Sequence, residues 1–233
     1  MKPRFVGRVG LADAVTVSNA ALGFVAAVAA TADVELAARV LLLAAIADAL
    51  DGVVARRCGG TDVGPYLDSL ADVASFGVAP ALLVSMTVST SWGLAGGRGL
   101  LALAGGALFV AAAVTRLGLY TAYDSDAAET EGVQTTLAAT IIGASVLAGF
   151  TSPIVLVPLV YLLAVLMLAP ITYPDLHAQD ALVMGIVQAA AILLAGRMGE
   201  QLVGAIGEGF AYGLLFLSLA YLFLGPRFYW RRD

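Results

Sequence analysis

Residues 48–72 read DALDGVVARRCGGTDVGPYLDSLAD, five aspartates set between long runs of Ala, Leu and Val. The flanks decide the fold class. The chain of 233 residues is 61% hydrophobic and 12% charged, with a mean hydropathy of +0.94. Soluble domains carry about a quarter charged residues, so this composition indicates an integral membrane protein. Windows of about 20 mostly apolar residues are needed to cross a bilayer. They fall near 12–31, 35–56, 65–88, 98–122, 134–150, 153–171, 180–197 and 206–225. The expectation is an all-α polytopic bundle of about eight spans forming a single membrane domain over 1–233, with a short interfacial segment at its N-terminus. The fifth and sixth windows are separated by Thr151-Ser152-Pro153 and read as a tight helical hairpin.

Lys and Arg collect on the cytoplasmic side of membrane proteins. With the N-terminus inside, that side or its edge receives Lys2, Arg4, Arg8, Arg56, Arg57, Arg116, Arg227, Arg231 and Arg232; the other receives Arg39, Arg98 and Arg197. The reading is an integral protein of the cell membrane with its N-terminus cytoplasmic. A net charge of −5 with no extended basic tract gives no electrostatic footprint for nucleic acid. The single cysteine, Cys58, rules out an intramolecular disulfide framework. The single histidine, His177, falls in a polar connection.

Acids inside spans are costly and mark functional sites. At about 100° per residue, Asp48, Asp51, Gly52 and Ala55 share a helix stripe roughly 100° wide. On the next helix Gly64, Asp68, Asp72 and Ser75 fall within roughly 80° of one another. Asp48 and Asp51 lie about 20–24 Å along a helix starting near residue 35, and Asp68 and Asp72 within roughly 5–11 Å of the start of its successor. Joined by a short connection, the two helices are expected to be antiparallel neighbours. All four carboxylates then meet at one level, near the inner leaflet, where they repel one another. Divalent cations relieve that repulsion, and all-oxygen sites suit Mg²⁺ or Mn²⁺ bound together with substrate phosphates. Two ions about 3.5–4 Å apart would clamp a phosphoryl group. Gly52 and Ala55 leave room for a flat group, and Arg56 reaches a phosphate at the rim. A divalent-cation transporter or a structural ion cluster could use the same carboxylates. A transport site belongs near the bilayer midplane, whereas this one lies near one face.

Asp48-x-x-Asp51-Gly52-x-x-Ala55-Arg56, then seven residues, then Gly64-x-x-x-Asp68-x-x-x-Asp72 resembles the signature of the CDP-alcohol phosphatidyltransferases at every fixed position. The resemblance covers a core of about residues 11–150, with additional spans at about 153–225. It implies an enzyme in which the hydroxyl of a small alcohol attacks the lipid-side phosphorus of a CDP-activated lipid and CMP leaves. It further implies that Asp48, Asp51, Asp68 and Asp72 hold two divalent cations, Mg²⁺ or Mn²⁺, and that Asp72 is the general base. Gly52 and Ala55 would pack on the cytidine nucleotide, Arg56 would support CDP or the acceptor, and Gly64 would allow close helix or substrate approach. A homodimer and a cytoplasmic active site follow from the same resemblance.

Leu67–Ala81, LDSLADVASFGVAPA, and Leu11–Phe24, LADAVTVSNAALGF, are similar to segments of the phosphatidylserine synthase branch. This implies L-serine as acceptor and puts Thr16 and Asn19 either at the nucleotide or in bonds between helices. Ala12-Asp13 stands where Pro-Asn is common, and VTRLGLY (114–120) keeps one arginine, Arg116, of a usual basic pair. Arg116 is a candidate contact for acceptor or phosphate. Gly132–Ile141, GVQTTLAATI, together with the Ala-rich acidic composition, looks more like archaeal members, which would use CDP-archaeol and form archaetidylserine. Glycerol 3-phosphate, inositol phosphate or another alcohol is the alternative acceptor. The scarcity of basic residues at the inner helix ends favours serine.

Overall fold

The computed structural model describes residues 7–124, 129–174, 178–196 and 206–228. The N-terminal interfacial segment expected from the sequence lies largely outside them, as do His177, Arg197, Arg231 and Arg232. Each expected span coincides with a helix. These are α1 (Leu11–Ala29), α2 (Val34–Cys58), α3 (Gly64–Trp92), α4 (Gly96–Leu119), α5 (Thr135–Leu147), α6 (Pro153–Met167), α7 (Ala178–Leu194) and α8 (Ile206–Phe228). α3 contains a π-helical segment, Val73–Val78, and α4 runs on into a π turn, Tyr120–Asp124.

α1, α3, α4 and α8 are long and apolar enough to cross a membrane. α2, at 25 residues, is about 37 Å long, but its charges interrupt the apolar run. α5 and α6 have 13 and 15 residues and are shorter than the windows read from hydropathy. Every residue of α5 except Thr136 is buried. A helix apolar on all sides belongs inside a bundle, and one wrapped in protein need not match the bilayer thickness. α5 packs against α2 and α8, and Gly143 brings it close to Leu42 of α2. Its end is closed by Gly149 at φ +82°, and Phe150 N–H donates to the Ser145 carbonyl at 2.9 Å.

An antiparallel ribbon adds to the all-helical expectation. β1 (Glu129–Glu131) pairs with β2 (Thr172–Pro174), with Thr130 opposite Tyr173. The ribbon ties the entry of α5 to the segment that follows α6.

Arg39, placed by the sequence at the edge opposite the aspartates, is 7% exposed. Its guanidinium donates to the carbonyls of Ile192 and Ala195, at the C-terminal end of α7, where carbonyls lack helical partners and a cation opposes the helix dipole. Arg39→Met is expected to cost about 1–3 kcal/mol of stability. The check is a lower thermal midpoint in detergent with an unchanged rate per folded molecule, since Arg39 lies far along α2 from the aspartates.

Candidate active site

α1, α2 and the first half of α3 build the site. Asp33 caps α2 by accepting from the N–H groups of Glu35 and Leu36 at 2.9 and 3.1 Å, and α2 ends at Gly59 with φ +88°. After a short connection α3 starts with Pro65 in its first turn, where the missing N–H costs nothing. Asp13 of α1 accepts from Gly10 N–H at 2.6 Å and from Thr61 Oγ1 at 2.8 Å. A Cβ on Gly64 would lie 3.3 Å from Asp13 Oδ1. Asp13 thus ties the α2–α3 connection to α1, and Gly64 serves the close helix approach.

Asp48, Asp68 and Asp72 each offer a carboxylate oxygen, and these oxygens lie within 4.8 Å of one another. Asp72 is buried, and Asp48 and Asp68 are half-buried. Oxygens on opposite sides of one Mg²⁺ sit about 4.2 Å apart, from a bond length of about 2.1 Å. The three carboxylates, all hard oxygen donors, therefore fit a divalent cation after a small contraction. Asp51 stands beside this group with a different bond: Thr16 Oγ1 donates to its Oδ2 at 2.7 Å. Thr136 Oγ1 donates to Asp48 Oδ2 at 3.3 Å, and Asn19 Nδ2 to Asp72 Oδ1 at 3.4 Å.

Thr16 and Asn19 are both buried. Both donate to carboxylates across helix interfaces. Asn19 is held in turn: its carbonyl accepts from Ser75 Oγ at 2.8 Å. Ser75 lies in the π segment that begins right after Asp72, a distortion frequent at functional sites. Gly23 makes the α1–α3 approach possible, because a Cβ there would come within 2.6 Å of Ser75 Cα.

A cavity of about 200 Å³ opens beside the carboxylates. Asp48, Asp68 and Asp72 form one wall, and Arg116, Leu117 and Tyr120 of α4 and its π turn form another. Glu129 and Thr130 of β1 and Gln134–Thr136 at the start of α5 complete it. Arg116 is 6% exposed, lies 5.6 Å from the Tyr120 ring centroid and donates from Nη2 to Thr130 Oγ1 at 3.0 Å. Arg116 thus lines the same cavity as Asp48, Asp68 and Asp72. Gly52, Ala55 and Arg56 continue along α2 outside this cavity, on partly or fully exposed surface. A Cβ on Gly52 would lie 3.4 Å from Arg56 Nη1, so the arginine passes over the glycine face. Thr136, Thr130, Gln134, Glu129 and Tyr120 escaped the sequence reading as site residues. The GVQTT segment was the available signal for two of them.

The CDP-alcohol phosphatidyltransferase family model matches residues 9–195, and the chain belongs to this family. It is an integral membrane protein. Archaetidylserine synthase of Methanothermobacter thermautotrophicus is 30% identical over 178 residues, 74% of this chain and 73% of that protein. A CDP-diacylglycerol–serine O-phosphatidyltransferase of Methanocaldococcus jannaschii is 56% identical over 45 residues, 19% of this chain and 22% of that one. The family assignment does not favour cation transport.

Proposed function

We propose that this protein transfers the archaetidyl or phosphatidyl group of a CDP-activated lipid to the hydroxyl of L-serine, releasing CMP. The observation that carries the reading is the carboxylate group of Asp48, Asp68 and Asp72 in a chain similar along most of its length to an archaetidylserine synthase. The similarity over most of the chain to a protein named archaetidylserine synthase favours CDP-archaeol as donor, with CDP-diacylglycerol, named in the shorter match, as the alternative.

Asp48, Asp51, Asp68 and Asp72 would hold two divalent cations, Mg²⁺ or Mn²⁺, which supply charge neutralisation for the diphosphate and the departing CMP. The cavity is too small for a nucleotide and lipid together. The cytidine would lie along the Gly52 and Ala55 face, as the family signature implies, with Arg56 at its phosphates. Arg116 faces the aspartates across the cavity and receives the acceptor's carboxylate. Asp72, positioned by Asn19, takes the proton of the serine hydroxyl as that oxygen bonds to the lipid-side phosphorus. The bond from that phosphorus to the bridging diphosphate oxygen breaks, and the electron pair leaves with CMP. The chain acts as one membrane domain, its site on the cytoplasmic side of the cell membrane, and as a homodimer.

The test is CMP release by purified protein with Mg²⁺ or Mn²⁺ and either CDP-archaeol or CDP-diacylglycerol. Acceptors are L-serine, glycerol 3-phosphate, inositol phosphate and inositol. Serine-dependent release is expected, with CDP-archaeol preferred. Release with another alcohol alone overturns the serine assignment and retains the mechanism.

A further inference from the structure

α8 lies beyond the stretch matched by the family, yet it reaches the wall of the cavity through a chain of hydrogen bonds. Tyr221 of α8 donates from its hydroxyl to the Pro174 carbonyl at 2.5 Å. Tyr173 donates in the opposite direction, to the Leu222 carbonyl of α8 at 3.0 Å. The two rings lie 6.0 Å apart. Tyr173 is the ribbon partner of Thr130, whose hydroxyl accepts from Arg116. Beyond the ribbon, Gly132 N–H donates to the Ile171 carbonyl at 2.8 Å and Val133 N–H to Leu166 at 3.0 Å. Gly132 sits at φ +77°, and a Cβ there would run into the Met167 carbonyl, so the crossing admits glycine alone.

Arginine carries several rotatable bonds, and ordering it when a ligand binds costs affinity. Here the Thr130 hydroxyl and the Tyr120 ring fix its plane in advance. We propose that Thr130 is a positioning residue that orients Arg116 toward the acceptor, and that α8 holds Thr130 in place through Tyr221 and Tyr173. The inference rests on the reading of Arg116 as the acceptor contact. It gives the C-terminal helix a part in acceptor binding that the aspartate signature does not contain.

Thr130→Val keeps the side-chain shape and removes the acceptor oxygen; Thr130→Ser keeps that oxygen; Tyr221→Phe removes one of the two hydrogen bonds between α8 and the ribbon and leaves Tyr173 to Leu222. The wild type is first assayed with the four acceptors above, and the variants with whichever alcohol it uses. Failure of serine in the wild type thus overturns the acceptor assignment alone. Thr130→Val is expected to raise the acceptor KM about tenfold while leaving the CDP-lipid KM within about twofold. Thr130→Ser should restore it, and Tyr221→Phe should raise it about threefold. An unchanged acceptor KM in folded Thr130→Val, or an equal rise in both KM values, overturns the proposal. If Thr130→Val does not fold, Tyr221→Phe decides by the same split.

Discussion

Asp72→Asn is expected to leave a folded, membrane-inserted protein whose CMP release has fallen by roughly 10³-fold or more, within the range attributed to general-base catalysis. The substitution keeps shape and the capacity to accept from Asn19 Nδ2, which lies 3.4 Å from Asp72 Oδ1. It removes the ability to take a proton. A fall of that size is about 4 kcal/mol of transition-state stabilisation, far more than loss of one exposed contact. Because Asp72 is also one of the carboxylates proposed to hold the cations, the assay is run at saturating Mn²⁺. The loss should then fall on kcat, with KM for both substrates changing little, since the lost interaction is made as the hydroxyl is deprotonated. A purified variant turning over within tenfold of wild type would remove Asp72 as the base.

Asp68→Asn should act on the metal first. Asp48, Asp68 and Asp72 bring three carboxylates within 4.8 Å, and like charges so close destabilise the fold until cations enter. Without divalent ions, the Asp68→Asn protein should melt above the wild type, since one repelling charge is gone. Added Mn²⁺ should raise the wild-type melting temperature by mass action, and raise that of the variant much less. Activity should fall by about 10²-fold or more at any attainable Mn²⁺ concentration, as expected when a metal clamp is lost. The melting curves need no substrate, so they read the cation site independently of the reaction. Equal Mn²⁺ shifts in both proteins would exclude Asp68 as a ligand.

The grouping of Asp48, Asp68 and Asp72 was legible because its information is local. Asp48 and Asp51 sit on one helix and Asp68 and Asp72 on the next, with a connection too short to separate them. Helical periodicity then puts the carboxylates on facing stripes whatever the rest of the chain does. The eight helices of the described residues were legible for a similar reason, since bilayer thickness and backbone hydrogen bonding restrict a long apolar run to one conformation. Their lengths were less so. α5 reads as an ordinary span, yet all but Thr136 of it is buried; hydropathy cannot distinguish lipid neighbours from protein ones.

The partners of individual polar groups were not legible. Thr16 and Asn19 lie on one helix, and nothing in their spacing says that one meets Asp51 and the other Asp72. Arg39 reads from the sequence as a charge at the outer edge of its span, and it closes the end of α7, more than 150 residues away in sequence. The ribbon is the sharpest case, because strands of three residues each are too short to show alternation.

By itself, then, the sequence determined the membrane bundle, the carboxylate group and the family chemistry they imply. The bundle and the carboxylate group rest on periodicity within one helix or two consecutive ones, and the chemistry on the resemblance of the aspartate spacing to the family signature. Only the tertiary structure decided which hydroxyls and amides hold the carboxylates and how Arg116 is held opposite them. It also decided that the last helix reaches the cavity through Tyr173 and Tyr221. Those contacts join segments distant along the chain, and they are selected by packing and by the need of buried polar groups for partners, neither of which leaves a local pattern.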